Sequence, residues 1–160
     1  DENKIPPLEL GKSQILRNGK NIVFIAVGTM VERALQVADQ LEKEGIYASV
    51  INARFVKPMD EGLIVNLGKN AKLLVSIEEN TIRGGFGSGM LEILSNNKIC
   101  IPTLLIGAPD RFISQGSQEE QLNLSELNVE HIYGRVLEKL PEVLKRTRKK
   151  ITIKQKKLAS

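Results

Sequence analysis

The sequence predicts an α/β domain, a three-layer α/β/α arrangement around a doubly wound, mostly parallel sheet. Short apolar runs at Ile22 to Val27, Tyr47 to Asn52, Leu73 to Ile77 and Thr103 to Ile106 alternate with helix-length segments. Those runs are rich in Val, Ile and Leu without polar alternation, as expected of strands covered on both faces. The stretches between them are long enough for the crossover that a parallel pair requires. Size and composition agree: 160 residues, 41% hydrophobic and 26% charged, suit one folded domain and exclude disorder.

Taken in order, residues 1 to 12, with Pro6-Pro7, read as an incoming linker arm to a domain spanning 13 to 144. After the run from Ile22, Thr29 is positioned to cap a helix and Glu32, three residues on, to close a capping box. Val31, Ala34, Leu35, Ala38 and Leu41 form its apolar stripe, and Gly45 supplies the stop. After the run ending at Asn52, Pro58 halts the chain. The run from Leu73 leads to a glycine-rich loop and a helix at Met90 to Leu94, with the helix start at Ser88. Beyond Thr103 to Ile106, Pro109 forces a turn, and Ser117 with Glu120 makes a second capping box. A last helix carries Val129, Ile132, Tyr133, Val136, Leu137 and Leu140 on one face, with Pro141 expected to end it. His131 falls outside that stripe and reads as a surface residue.

The formal charge of +4 misrepresents the fold. Residues 145 to 160 form a basic tail that takes eight of the 23 Lys/Arg and no acid, leaving 15 basic residues against all 19 acidic ones, or −4, for residues 1 to 144. No aromatic residue interleaves the tail's cations to stack bases, so no specific nucleic-acid partner is expected. The single cysteine, Cys100, permits no internal disulfide or zinc cluster. No apolar run approaches the ~18 residues of a membrane span, so no membrane association is expected. The opening Asp1-Glu2-Asn3-Lys4 is no signal peptide and, without an initiator methionine, reads as a piece of something longer.

In doubly wound sheets ligands favour the crevice beyond the carboxyl ends of the strands, which directs attention to three loops. In Asn52 to Asp60, Arg54 and Lys57 either contact an anion or pair with Asp60, Glu61 or a neighbouring loop. In Glu78 to Gly89, adjacent carboxylates on an extended chain point to opposite sides, so Glu78 and Glu79 make a poor acid/base dyad and one is expected to pair with an arginine. The glycines from Gly84 to Gly89 permit positive φ and close approach, and the helix start is open to an anion. Their spacing matches neither nucleotide fingerprint, which leaves close packing against another segment or subunit as the alternative. In Gly107 to Gly116, Asp110 or Arg111 is placed to face the same crevice. None of the three assembles a nucleophile triad or a metal set.

These loops carry a resemblance. Leu8-Glu9-Leu10-Gly11-Lys12, Ala26 to Val31, Asn52 to Glu61, Val75 to Ser88 and Pro109 to Gly116, in that order and ending near Leu140, resemble the C-terminal domain of the 1-deoxy-D-xylulose-5-phosphate synthases, thiamine-diphosphate enzymes of the transketolase superfamily. The wording departs from the usual family pattern at Gln115, over Asn123 to Asn128 and in the basic tail. The resemblance implies a synthase that joins pyruvate to D-glyceraldehyde 3-phosphate with loss of carbon dioxide, for isoprenoid, thiamine and pyridoxal precursors. It implies a homodimer in the bacterial cytoplasm or a plastid-type organelle. Thiamine diphosphate and Mg²⁺ would belong to two preceding domains of the same polypeptide, because no GDG precedes Asn96-Asn97 here. This piece would then be structural and dimer-supporting, inactive alone, with no catalytic, cofactor or metal residue. Arg54, Lys57, Glu79, Arg83, Gly84, Gly85 and Arg111 would be its interface or anion contacts. A free-standing anion-binding module, and the equivalent domain of another thiamine-diphosphate enzyme, remain as alternatives.

Overall fold

The computed structural model describes residues 7 to 141. Residues 1 to 6 of the arm, residues 142 to 144 and the basic tail lie outside the described residues.

Five strands form one sheet: β1 (Gln14–Arg17), β2 (Ile22–Ala26), β3 (Ala48–Asn52), β4 (Leu73–Thr81) and β5 (Thr103–Ala108), in the order β1-β3-β2-β4-β5. The four later strands are parallel, with Phe24 beside Val50 on one side and Val75 on the other. The antiparallel edge strand β1, Gln14 opposite Asn52, was not expected from the sequence. Four residues, mostly exposed, on one edge carry too little apolar pattern to announce a strand.

Four helices connect or follow the strands: α1 (Met30–Lys43), α2 (Glu61–Asn70), α3 (Phe86–Asn96) and α4 (Gln118–Leu124), and residues 129–141 form a further helix, α5. The pleat sorts the buried strands. Phe24, Ala26, Val75 and Ile77 face α1, α4 and α5, through Ala34, Leu122, Ile132 and Val136. Val23, Ile25, Ile51 and Leu74 face α2 and α3, through Ile64, Phe86, Met90 and Leu94. The result is the expected three-layer α/β/α fold.

Capping follows the sequence in part. Gly45, at φ +76°, ends α1 with the paired bonds of Gly45 N–H to Glu42 O (2.9 Å) and Ile46 N–H to Leu41 O (3.0 Å). Ser117 and Glu120 close the expected capping box on α4. The box at Thr29 does not form: Thr29 is already helical at φ −64°, ψ −21°, whereas a capping side chain needs an extended backbone to reach forward. A turn through Gly28, at φ +60°, starts α1 instead, with Met30 N–H on Val27 O. Pro141 is itself helical.

Candidate functional site

β2 and β4 lie side by side, but the chain leaves them toward opposite faces, to α1 and to α3. Between their carboxyl ends is the topological switch point of the sheet, where loops splay apart and leave a crevice. A cleft of about 740 Å³ opens there. Its walls are Val27 and Gly28 after β2, Val56 to Met59 after β3, Glu78 to Asn80 on β4, Gly84 to Phe86, and the α3 face of Ser88, Gly89, Glu92, Ile93 and Asn96.

Glu78 organises the cleft floor. β4 runs four residues beyond the expected Ile77, so Glu78 and Glu79 are strand residues on opposite sides. Glu78 is buried and Glu79 exposed. The Glu78 carboxylate accepts Phe86 N–H (2.7 Å) and Gly87 N–H (2.9 Å), two of the unpaired donors at the start of α3. This corrects two expectations. Among the described residues neither glutamate pairs with an arginine, and α3 begins at Phe86, with its first two donors occupied by the protein's own carboxylate rather than open to an external anion. A buried carboxylate on a helix N-terminus satisfies both partners at once, which is why it displaces the arginine pairing.

The glycines divide by task. Gly84 takes the left-handed turn at φ +73° with open space around it. Gly85 has φ −82° and serves close approach instead: a Cβ there would lie 2.3 Å from both Glu78 Oε2 and Thr81 O. The neighbour it must admit is thus its own chain. Gly87 is equally tight: a Cβ there would lie 2.4 Å from Ser76 Oγ.

The cations mostly turn away from the cleft. Arg54, left-handed at φ +57°, is held by its N–H on Asn52 Oδ1 (2.9 Å) and reaches Gln14 Oε1 (2.6 Å) on β1, not Asp60 or Glu61. Asp60 caps α2 through Leu63 N–H and accepts Ser13 N–H (3.0 Å), tying the arm to this loop. Arg83 pairs with Asp110 at 3.3 Å in solvent. Arg111 donates to Leu124 O (3.0 Å) at the end of α4. Neither Asp110 nor Arg111 lines the crevice, since the first is paired with Arg83 and the second is turned to the end of α4. Lys57 alone of the expected cations lines the cleft, with Glu61, Glu79 and Glu92 as exposed carboxylates.

Sequence reasoning missed the α3 wall and the role of Asp60. Ser88, Glu92 and Asn96 at i, i+4 and i+8 were the available signal for the first. His131 is a surface residue as expected, its Nδ1 2.5 Å from the Asn128 Oδ1 that also accepts His131 N–H and caps α5. Among the described residues no group of three or more His, Cys, Asp and Glu is placed to hold a metal ion, and no helix is long and apolar enough to cross a membrane.

Residues 11–132 match the family model described as transketolase, C-terminal domain. A 1-deoxy-D-xylulose-5-phosphate synthase of Blochmanniella pennsylvanica is 44% identical over 86% of this chain and 21% of its own length. One of Thermosynechococcus vestitus is 45% identical over 71% of this chain and 18% of its own. The chain therefore spans about a fifth of these relatives. Among solved structures, a split-gene transketolase described as an inactive beta4 tetramer superposes with a TM-score of 0.74 at 31% identity, over 84% of this chain and 43% of that one. A transketolase of Campylobacter jejuni superposes at 0.58 and 14% identity, a likeness of fold.

Proposed function

As this chain belongs to the transketolase C-terminal domain family, we propose that it serves as the C-terminal domain of a 1-deoxy-D-xylulose-5-phosphate synthase, the enzyme condensing pyruvate with D-glyceraldehyde 3-phosphate with loss of carbon dioxide. The observation that carries the reading is the identity of 37% to 45% with synthases of that name over most of this chain. The enzyme would act as a homodimer in a bacterial cytoplasm or a plastid.

In this reading thiamine diphosphate and Mg²⁺ reside in preceding domains of the polypeptide. The chemistry of the residues here supports that placement. A magnesium diphosphate needs clustered oxygen ligands for the hard cation and free donors for the phosphates. The cleft offers Glu61, Glu79 and Glu92 against Lys57 alone, and the first two donors of α3 are occupied by Glu78. These residues do not fit the cofactor, and no chemical step is assigned to them. The domain's task is support. Lys57, Glu79, Gly84 and Gly85 are then the interface contacts at the cleft, while Arg54, Arg83 and Arg111 brace the loops around it.

The test is to express the complete polypeptide encoded at the locus and assay it with pyruvate and D-glyceraldehyde 3-phosphate, following carbon dioxide release and the product sugar phosphate. Activity dependent on thiamine diphosphate is expected. A complete polypeptide that carries no thiamine-diphosphate domain, or that transfers ketol groups without releasing carbon dioxide, overturns the reading.

A further inference from the structure

The large apolar side chains exposed on this domain are unevenly placed. Of the nine among the described residues, five gather around the carboxyl ends of the parallel strands: Leu8, Leu10, Val56, Phe112 and, beside it, Leu124. Only Tyr47 lies at the opposite end of the sheet, where it precedes β3. Phe112 is fully exposed and Leu10 is 70% exposed. They stand on loops that are tied down. The Leu10 turn is fixed by Lys12 N–H on Glu9 O, and the arm by Ser13 N–H on Asp60; the segment before Phe112 is fixed by the Arg111 bond to Leu124 O and the Asp110 pair with Arg83.

Resting on the function proposed above, we infer that this end of the domain is the docking face for the preceding domain of the same polypeptide. The form of the face argues for a protein partner. Phe112 and Leu10 stand outside the recess and Val56 is half exposed on its wall, and preorganised apolar knobs fit pockets on a folded surface better than they enclose a small molecule. Its place argues for that particular domain. β1 runs antiparallel to β3, so the arm from residue 7 to residue 13 lies at the carboxyl ends, where Gly11 abuts Pro58 and Ser13 is bonded to Asp60. The matched residues make up only 21% and 18% of two relatives, so most of such a polypeptide lies outside this domain. Whatever precedes residue 7 in such a polypeptide joins at the rim of this face, and tethering gives it an effective concentration on the order of millimolar. Pairs of domains within one chain bury roughly 600 to 1,500 Å², an area that can span both the cleft and the projecting side chains.

The test is hydroxyl-radical footprinting of the complete polypeptide, comparing Leu10, Val56 and Phe112 with Tyr47 as the internal exposed control, each normalised to its intrinsic reactivity. Protection of the three by tenfold or more relative to Tyr47, unchanged on dilution from dimer to monomer, supports the proposal. Modification of all three at the rate of exposed side chains overturns it and leaves the synthase reading intact. Protection that disappears on dilution assigns the face to a second copy and overturns it too. A complete polypeptide with no preceding domain removes both, and its mass alone tells that outcome apart. As a second arm, Phe112→Asp, which disturbs no contact within this domain, is expected to speed limited proteolysis between the two domains about tenfold while leaving the circular dichroism spectrum unchanged. An unchanged cleavage rate counts against Phe112 as an anchor of the face.

Discussion

Glu78 Oε2 lies 2.7 Å from the N–H of Phe86 and occupies the space that a side chain on Gly85 would need. The buried carboxylate and the bare glycine are one device: β4 delivers the acid, the glycine lets the helix start come down upon it, and the N-terminal partial charge of α3 is neutralised from inside the fold. The cleft floor is set by this pair.

Glu78→Ala is accordingly expected to leave two buried donors without a partner and to destabilise the domain by about 2 to 4 kcal/mol. Gly85→Val is expected to cost about 2 kcal/mol through overpacking against Glu78 and Thr81, with no contribution from left-handed strain. Urea unfolding followed by circular dichroism checks both. A Gly85→Val protein as stable as the parent would refute the close-packing account.

Ser76 is buried with its hydroxyl unbonded, and Gly87 faces it. Ser76→Ala is expected to be neutral or stabilising by about 1 kcal/mol, since it removes a desolvated polar group that gains nothing in return. Gly87→Ala alone is expected to destabilise by roughly 1 to 3 kcal/mol, and less in the Ser76→Ala background. A double-mutant cycle measures the coupling; strict additivity would show that the hydroxyl is not what the new methyl strikes.

The Tyr133 hydroxyl on α5 donates to the Glu44 carboxylate at the end of α1, and this bond, with burial and the adjacent charge as smaller causes, raises the phenol above its ordinary value of 10.0. A raised folded-state value means that the stabilisation is complete below about pH 10 and is lost as pH rises through the folded value. Tyr133→Phe is expected to flatten this alkaline limb. Melting temperatures of both proteins between pH 8 and pH 11 or so provide the comparison, and parallel curves would contradict it.

The acid limb has a matching device in α4. Glu120 lies below its ordinary 4.5, first because Ser117 N–H donates to it and then through the Ser117 hydroxyl. For a depressed carboxylate the contribution is present above pH 4.5 and fades as pH falls through the folded value. Ser117→Ala is expected to cost about 1 kcal/mol at neutral pH, as for loss of other N-caps. The cost should shrink in part toward pH 3 or so, because protonation weakens the Ser117 hydroxyl bond to Glu120 while Glu120 N–H on Ser117 Oγ remains. Denaturant melts at the two pH values decide it.

The sequence by itself determined the parallel sheet, the three layers, the end of α1 at Gly45 and the box at Ser117, because each depends on neighbours within a few residues or on an apolar run buried on both faces. It also marked the loops after β3, β4 and β5 as the polar, glycine-rich end of the sheet. Tertiary structure alone decided where their charges go. Whether Glu78 meets an arginine or a helix start depends on β4 running past Ile77 and on how near α3 packs, and neither is written in local spacing. Arg54 finds Gln14 only because β1, a strand too short and exposed to show a pattern, lies on the sheet edge. Thr29 has the right residue type for a cap and the wrong backbone angles, fixed by the turn at Gly28. Local sequence specifies elements through propensity and periodicity, whereas partner choice among polar side chains is settled by distances that exist only after those elements have packed.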